Sequence, residues 1–144
     1  MADKKRPAVR VGKAAYGWGV FAIKKLKANR TVGRVRGDVI PDADYGSDYC
    51  IDLGNGTSIE PKRPFRCLNH SCEPNCELSF TEIKGKRKLW VETLRAIEPG
   101  EELTIDYGWP AEVAIPCGCR SPSCRGWIVE PSELPKLIRP PVHA

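Results

Sequence analysis

Three cysteines crowd one short turn, Cys117-Gly118-Cys119-Arg120-Ser121-Pro122-Ser123-Cys124, with the spacing C-x-C-x4-C. Gly118, Pro122 and the serines let the segment fold tightly enough to point thiolates inward. Three thiolates call for a fourth donor, because structural zinc is tetrahedral and closed. Cys72 and Cys76 are the candidates for that place, and Cys50 and Cys67 are the remaining thiols. Buried, inert thiols are the plain alternative. A nucleophile and base pair of Cys72 with His70 is also conceivable, but neighbours within one short motif are weak evidence for it. The spacing favours zinc.

The other dense stretches are Arg66-Cys67-Leu68-Asn69-His70-Ser71-Cys72-Glu73-Pro74-Asn75-Cys76 and Gly100-Glu101-Glu102-Leu103-Thr104-Ile105-Asp106-Tyr107. Taken singly, their residues allow ordinary readings. Tyr107 is a core tyrosine on a strand, His70 a hydrogen-bonded core histidine, and Gly17-Trp18-Gly19 a turn.

These residues must be positioned by a chain of 144 residues, enough for one ordinary domain and no second full core. Hydrophobic residues at 41% and charged residues at 28% exclude a disordered or fibrous chain. Thirteen Gly and 13 Pro argue for many turns and against a helical bundle. The longest apolar runs are a few residues, too short to span a membrane. The start MADKKRPAVR carries no secretory signal, so reduced thiols and an intracellular setting are expected.

Charge is distributed unevenly. Residues 1–36 hold eleven Lys/Arg against Asp3 alone, whereas residues 37–60 hold six acids (Asp38, Asp42, Asp44, Asp48, Asp52, Glu60) and no base. The basic third can contact nucleic acid or simply keep the chain soluble. The acidic stretch would attract a cationic substrate, or is an ordinary acidic loop.

Strands are expected at Val20–Ile23, Thr31–Val35, Tyr49–Leu53, Leu89–Leu94 and Leu103–Tyr107. Turns are expected at Gly54-Asn55-Gly56, Lys84-Gly85-Lys86 and Pro99-Gly100, with at most a helical turn near Pro64–Leu68. The tail from Pro131 reads as an extended wrap or a loose end. The protein is therefore mainly β.

Together the two central motifs closely resemble the SET-domain protein lysine methyltransferases. Gly17-Trp18-Gly19-Val20-Phe21-Ala22 matches the family's N-terminal element, and Cys117 through Ile128 matches its zinc-binding post-SET element. Four motifs in the right order make the resemblance specific. It implies a SET fold of several small curved sheets with a knot-like C-terminal threading, plus a small zinc-bound segment. The implied division is a basic arm over 1–9, a SET domain over 10–110, a post-SET segment over 111–130 and a Pro-rich tail over 131–144.

The implied activity is methyl transfer from S-adenosyl-L-methionine to a lysine of a basic protein, such as a histone tail. A zinc-stabilised SET-like module that binds nucleic acid or a protein partner without methyl transfer is the alternative. In the resemblance, Tyr107 is the active-site tyrosine and Tyr49 a wall of the lysine channel. Gly17, Trp18, Gly19, Arg66, Asn69, His70, Tyr107 and Trp127 face the cofactor, and Cys72 joins Cys117, Cys119 and Cys124 on zinc. Cys67 stands where a bulky aromatic often follows the arginine, and Ile105 where Phe or Tyr tunes the number of methyl groups. The variable insert that builds one wall of the peptide groove is very short here. The implied setting is nuclear or chromosomal in a eukaryote and cytoplasmic in a bacterium. The implied partners are the basic substrate and nucleic acid at the N-terminal third, with no membrane.

Overall fold

The computed structural model describes residues 7–15 and 17–137. It is mainly β, with 43% strand and 9% helix. The strands, in chain order, are β1 (Val9–Lys13), β2 (Trp18–Ala22), β3 (Thr31–Val35), β4 (Gly37–Ile40), β5 (Ile51–Gly54) and β6 (Thr57–Pro61). They continue as β7 (Asn69–His70), β8 (Cys76–Ile83), β9 (Lys86–Thr93), β10 (Glu102–Ile105), β11 (Ile115–Pro116) and β12 (Trp127–Ile128). They form four small sheets, ordered β1-β2-β10-β7, β3-β9-β8, β4-β6-β5 and β11-β12.

Local chemistry sets the hairpins. Asn55-Gly56 joins β5 to β6 with φ of 52° and 71°, and Lys84-Gly85 joins β8 to β9 with 52° and 74°. Two successive positive φ values are what a tight type I′ loop needs, and glycine at the second position supplies one without strain. The sequence marks both turns. It marks β8 less plainly, although Cys76, Leu78, Phe80 and Ile83 are separated by Glu, Ser and Thr in near alternation.

One apolar cluster joins the three larger sheets. Val20, Ala22, Val35, Leu89, Val91, Ile97 and Leu103 are 0–1% exposed, and Leu53 and Ile59 extend the cluster into the third sheet. The motif-bearing segments close over it. β10, from the C-terminal half, enters between β2 and β7, antiparallel to the first and parallel to the second.

β1 begins at Val9, which pairs with Ala22, beside the expected arm of residues 1–9, of which residues 1–6 lie outside those described. Other expectations need correction. The strand near Tyr107 stops at Ile105, since Tyr107 lies just before Gly108 with φ of 61°. The tail does not run extended from its start: Pro131–Lys136 form a 3-10 helix, whose first-turn Glu133 accepts the Ala111 amide. Proline at the first helical position suits that start. The tail beyond Leu137 lies outside the described residues.

Candidate active site and zinc centre

β10 is the strand that assembles the site, and two asparagines stitch it in place. The Asn69 side-chain amide donates to the Trp18 carbonyl at 2.9 Å and to Glu102 Oε2 at 2.8 Å. Asn75 Oδ1 accepts the Thr104 amide at 2.9 Å, while its amide group donates to the Glu102 carbonyl at 2.7 Å. Three segments distant in sequence therefore meet through side-chain to backbone bonds that satisfy otherwise orphaned groups. A Cβ at Gly19 would lie 2.5 Å from Glu102 Oε2 and 3.0 Å from the Ala14 Cβ, so a larger residue there would displace the Glu102 carboxylate from Asn69. Gly17, with φ of 68°, faces open space.

Gly17, Trp18, Tyr49, Arg66, Asn69 and Tyr107, all singled out from the sequence, line one cavity of about 230 Å³. Cys67 shares its wall, so the departure from an aromatic residue falls inside the site. The structure places the other named residues differently. Gly19 is buried beneath the wall and His70 sits behind Tyr107, with ring centroids 5.4 Å apart. Trp127 lies on β12 opposite Pro116 and is not among the lining residues. Ile105 is 6% exposed within the apolar cluster.

The Tyr107 hydroxyl donates to the Leu68 carbonyl, and its ring packs at 5.2 Å against Trp109. Burial, and then the nearby Tyr49 and Glu102, push its phenol up to about 12. It is a neutral, oriented donor at neutral pH, not a base.

Tyr49, outside the motifs, is held by the residue that opens the central one. The Arg66 guanidinium lies 3.9 Å from the centre of its ring, a cation–π contact. Arg66 in turn pairs with Glu60 and donates to the Pro61 carbonyl at 3.1 Å. Glu60 accepts the Tyr45 hydroxyl at 2.7 Å and the Ser47 hydroxyl at 2.6 Å. The Ser47 and Tyr45 hydrogen bonds, together with Arg66, hold its carboxyl below the ordinary range. Glu60 was expected among the acids that draw in a cation, but Arg66 already uses its charge. The other five acids of residues 37–60 form no ion pair among the described residues, and all five are exposed.

Four sulfurs meet at the C-terminal segment. The Sγ atoms of Cys72, Cys117, Cys119 and Cys124 all lie within 4.8 Å of one another, and those of Cys72 and Cys117 are 3.8 Å apart. Zn–S bonds of about 2.3 Å in a tetrahedron give an edge of about 3.8 Å, so the donor set fits the metal. Burial pushes the Cys117 thiol up to about 12 and raises that of Cys72. A cation is what would make these thiolates favourable. Cys76 is not part of the group; it is fully buried, and burial pushes its thiol up to about 12.

His70 links this centre to the cavity. Its Nδ1 accepts the Tyr107 amide at 3.1 Å, which leaves Nε2 to carry the proton toward Cys72 Sγ at 3.4 Å. Burial lowers its pKa despite the opposing Asp106, so it is neutral. A neutral imidazole donating to a buried thiol with a raised pKa is not an activated nucleophile pair. A second link was not foreseen from the sequence. Arg125, next to Cys124, donates to both Asp106 carboxylate oxygens at 2.9 Å and to the Val129 carbonyl at 3.0 Å. The only signal was opposite charges adjoining two motif residues, Asp106 before Tyr107 and Arg125 after Cys124.

A fold of small sheets carrying a tyrosine cavity and an adjoining four-thiol centre defines the SET class, and the comparisons agree. The SET-domain family profile matches residues 17–108, and the chain belongs to that family. It is 34% identical to the Drosophila melanogaster histone-lysine N-methyltransferase ash1 over 91% of this chain. It is 28% identical to the Yarrowia lipolytica histone-lysine N-methyltransferase, H3 lysine-4 specific, over 87% of this chain. The chain spans 7% and 12% of the length of those two relatives. In structure it resembles KRYPTONITE in the crystal structure with mCHH DNA, an H3(1-15) peptide and SAH. The TM-score is 0.74 at 24% identity, over 85% of this chain and 30% of that one.

Proposed function

We propose that this chain is an S-adenosyl-L-methionine-dependent protein-lysine N-methyltransferase acting on a lysine in a basic protein segment, such as a histone tail. The observation that carries the reading is the convergence of Gly17, Trp18, Tyr49, Arg66, Asn69 and Tyr107 on one cavity beside the four-thiol cluster. The curated relatives are named for that activity.

S-adenosyl-L-methionine supplies an electrophilic methyl group, and the rest of the chemistry falls to this chain. Open space at Gly17 lets backbone polar groups approach a ligand, and Asn69 fixes the wall beside it. Tyr49 and Tyr107 bound the passage for the target side chain. The lysine amine must be neutral to attack, although its free pKa is about 10.4, and a desolvated aromatic passage lowers that value. Tyr107, neutral and anchored on Leu68, positions the amine and offers its oxygen to the charge that develops; it does not take the proton. Cys72, Cys117, Cys119 and Cys124 would hold a structural zinc. That ion would clamp residues 111–130 against the SET domain of residues 10–110, a task shared by the Arg125–Asp106 pair.

The partners of this reading are the basic substrate and nucleic acid near it. Its setting is the chromosome, nuclear in a eukaryotic cell and cytoplasmic in a bacterial one. The test is Tyr107→Phe with a labelled cofactor and a panel of basic proteins. Turnover falls by about two orders of magnitude or more while cofactor binding is kept. Full turnover in that variant, or no cofactor binding by the native chain, refutes the assignment.

A further inference from the structure

A second cavity, of about 160 Å³, shares no lining residue with the one around Tyr107. It opens where β3 passes into β4, beside the start of β9. Buried Val35, Leu53, Ile59 and Leu89 contribute to its wall, and so do four cations, Arg34, Arg36, Arg87 and Lys88. No acidic residue lines it. The register accounts for the grouping: Arg34 lies opposite Trp90 and Val35 opposite Leu89, so one further step sets Arg36 beside Lys88.

These cations are not neutralised within the fold. None of the four forms an ion pair among the described residues. Arg34 Nε is buried and has no hydrogen-bond partner among the described residues. Arg87 Nη1 donates to the Leu53 carbonyl at 2.7 Å, which fixes that guanidinium at the wall while its other N–H groups remain available. Four like charges around one hollow repel one another, and an anion removes that repulsion.

We propose that this cavity seats a phosphate group of a nucleic-acid backbone, contacted by Arg34, Arg36, Arg87 and Lys88. Three of the four contacts are guanidinium groups, whose paired N–H donors match phosphate oxygens better than a point charge does. The positive surface also continues beyond the cavity. Lys84 and Lys86, both exposed and without an ion pair among the described residues, follow on the β8–β9 turn; Glu82 lies opposite Arg87, and the ladder's other acids, Glu77 and Glu92, face each other at its far end. A line of cations suits a repeating anion rather than a single small one. No aromatic side chain lines the cavity, so the contact reads the backbone and not the base sequence. Only Arg34 and Arg36 belong to the basic N-terminal third; Arg87 and Lys88 come from β9. The inference does not rest on the methyltransferase reading.

The test uses the full chain and a fluorescent DNA duplex of about 20 base pairs, followed by anisotropy between 50 and 200 mM salt. Each phosphate contact contributes about 0.9 to the slope of log K against log salt, so Arg36→Ala/Lys88→Ala lowers the slope by about 2. Affinity at 50 mM salt falls at least about tenfold. Arg36→Gln/Lys88→Gln repeats the measurement with longer polar side chains should alanine disturb the fold. Methyl transfer to a free basic peptide and the melting temperature stay unchanged, which separates this site from catalysis and from folding. Three results overturn the proposal: no duplex binding by the native chain, an unchanged slope in both double variants, or a loss of slope only when Lys4, Lys5 and Arg6 are replaced. Displacement of the duplex by polyglutamate as readily as by unlabelled DNA also overturns it, assigning the cavity to acidic peptides.

Discussion

Glu60→Gln isolates the support behind the Tyr49 wall. Glu60 receives the Tyr45 and Ser47 hydroxyls at 2.7 and 2.6 Å and pairs with Arg66, whose guanidinium stacks 3.9 Å from the Tyr49 ring centre. Glutamine keeps the volume and one acceptor oxygen, but turns an amide donor toward groups that are themselves donors. A hydrogen bond to a charged group contributes about 1.5–3 kcal/mol. The Arg66 and Glu60 side chains are 36% and 20% exposed, so solvent screening brings the net loss to about 1–2 kcal/mol. Arg66 remains tied to the Pro61 carbonyl, which keeps the loss from growing.

A loss of that size is a factor of about 5–30. It falls on the channel wall, so KM for a basic peptide should rise by that factor while kcat and cofactor affinity change less than about twofold. Steady-state transfer from labelled cofactor and calorimetric cofactor binding measure the two separately. A lower melting temperature with unchanged KM would show that the network only stabilises the fold, and would refute the reasoning. The pH dependence has a definite sign. The folded-state pKa of Glu60 is depressed, so its contribution is present above the ordinary carboxylate value and is lost as pH falls through the folded value. Native and variant chains should converge in acid.

One zinc per chain is expected by metal analysis; Cys117→Ser loses it and Cys76→Ser keeps it, whereas the reverse result would show that the ligand set is wrong. Native chain should add more than one methyl group to a peptide by mass spectrometry, because Ile105 has no hydroxyl to hold a blocking water and is shorter than Phe. Ile105→Tyr should then stop earlier, at a stability cost of about 1–3 kcal/mol from overpacking a site 6% exposed; a native chain that stops at monomethyl-lysine, with the variant unchanged, refutes this. Ultraviolet titration of native chain against Tyr107→Phe should place the Tyr107 ionisation near 12. Since that value is raised, the associated stability is fully present below the ordinary tyrosine value and is lost as pH rises through about 12; an ionisation near 10 would contradict the burial.

Where a property depends on neighbours in the chain, the residues announced it. Thr31–Val35 is a strand with the bounds its β-branched residues indicate, and Asn55-Gly56 and Lys84-Gly85 turn where their φ preferences allow. Zinc chemistry was legible in C-x-C-x4-C because chelate geometry is local. The choice of Cys72 over Cys76 came from family resemblance, since four residues of spacing leave both within reach of the turn. Packing separates them: the Cys72 sulfur joins the cluster, while Cys76 starts β8 and faces the core at 0% exposure.

The sequence by itself determined a mainly β chain, its turns, and most of the side chains that meet at the cavity and in the four-thiol cluster. Tertiary structure alone decided their partners. Glu60 was one acid among six until folding placed Arg66, Tyr45 and Ser47 around its carboxylate. Folding also set Trp127, the residue expected over the cofactor, opposite Pro116 in a two-residue strand pair. The links of His70 to Tyr107 and of Arg125 to Asp106 join separate motifs across the strand that enters between β2 and β7. The physical reason is range. Turn and strand preferences act over a few residues, whereas burial, desolvation and ion pairing depend on groups that only the folded chain brings together.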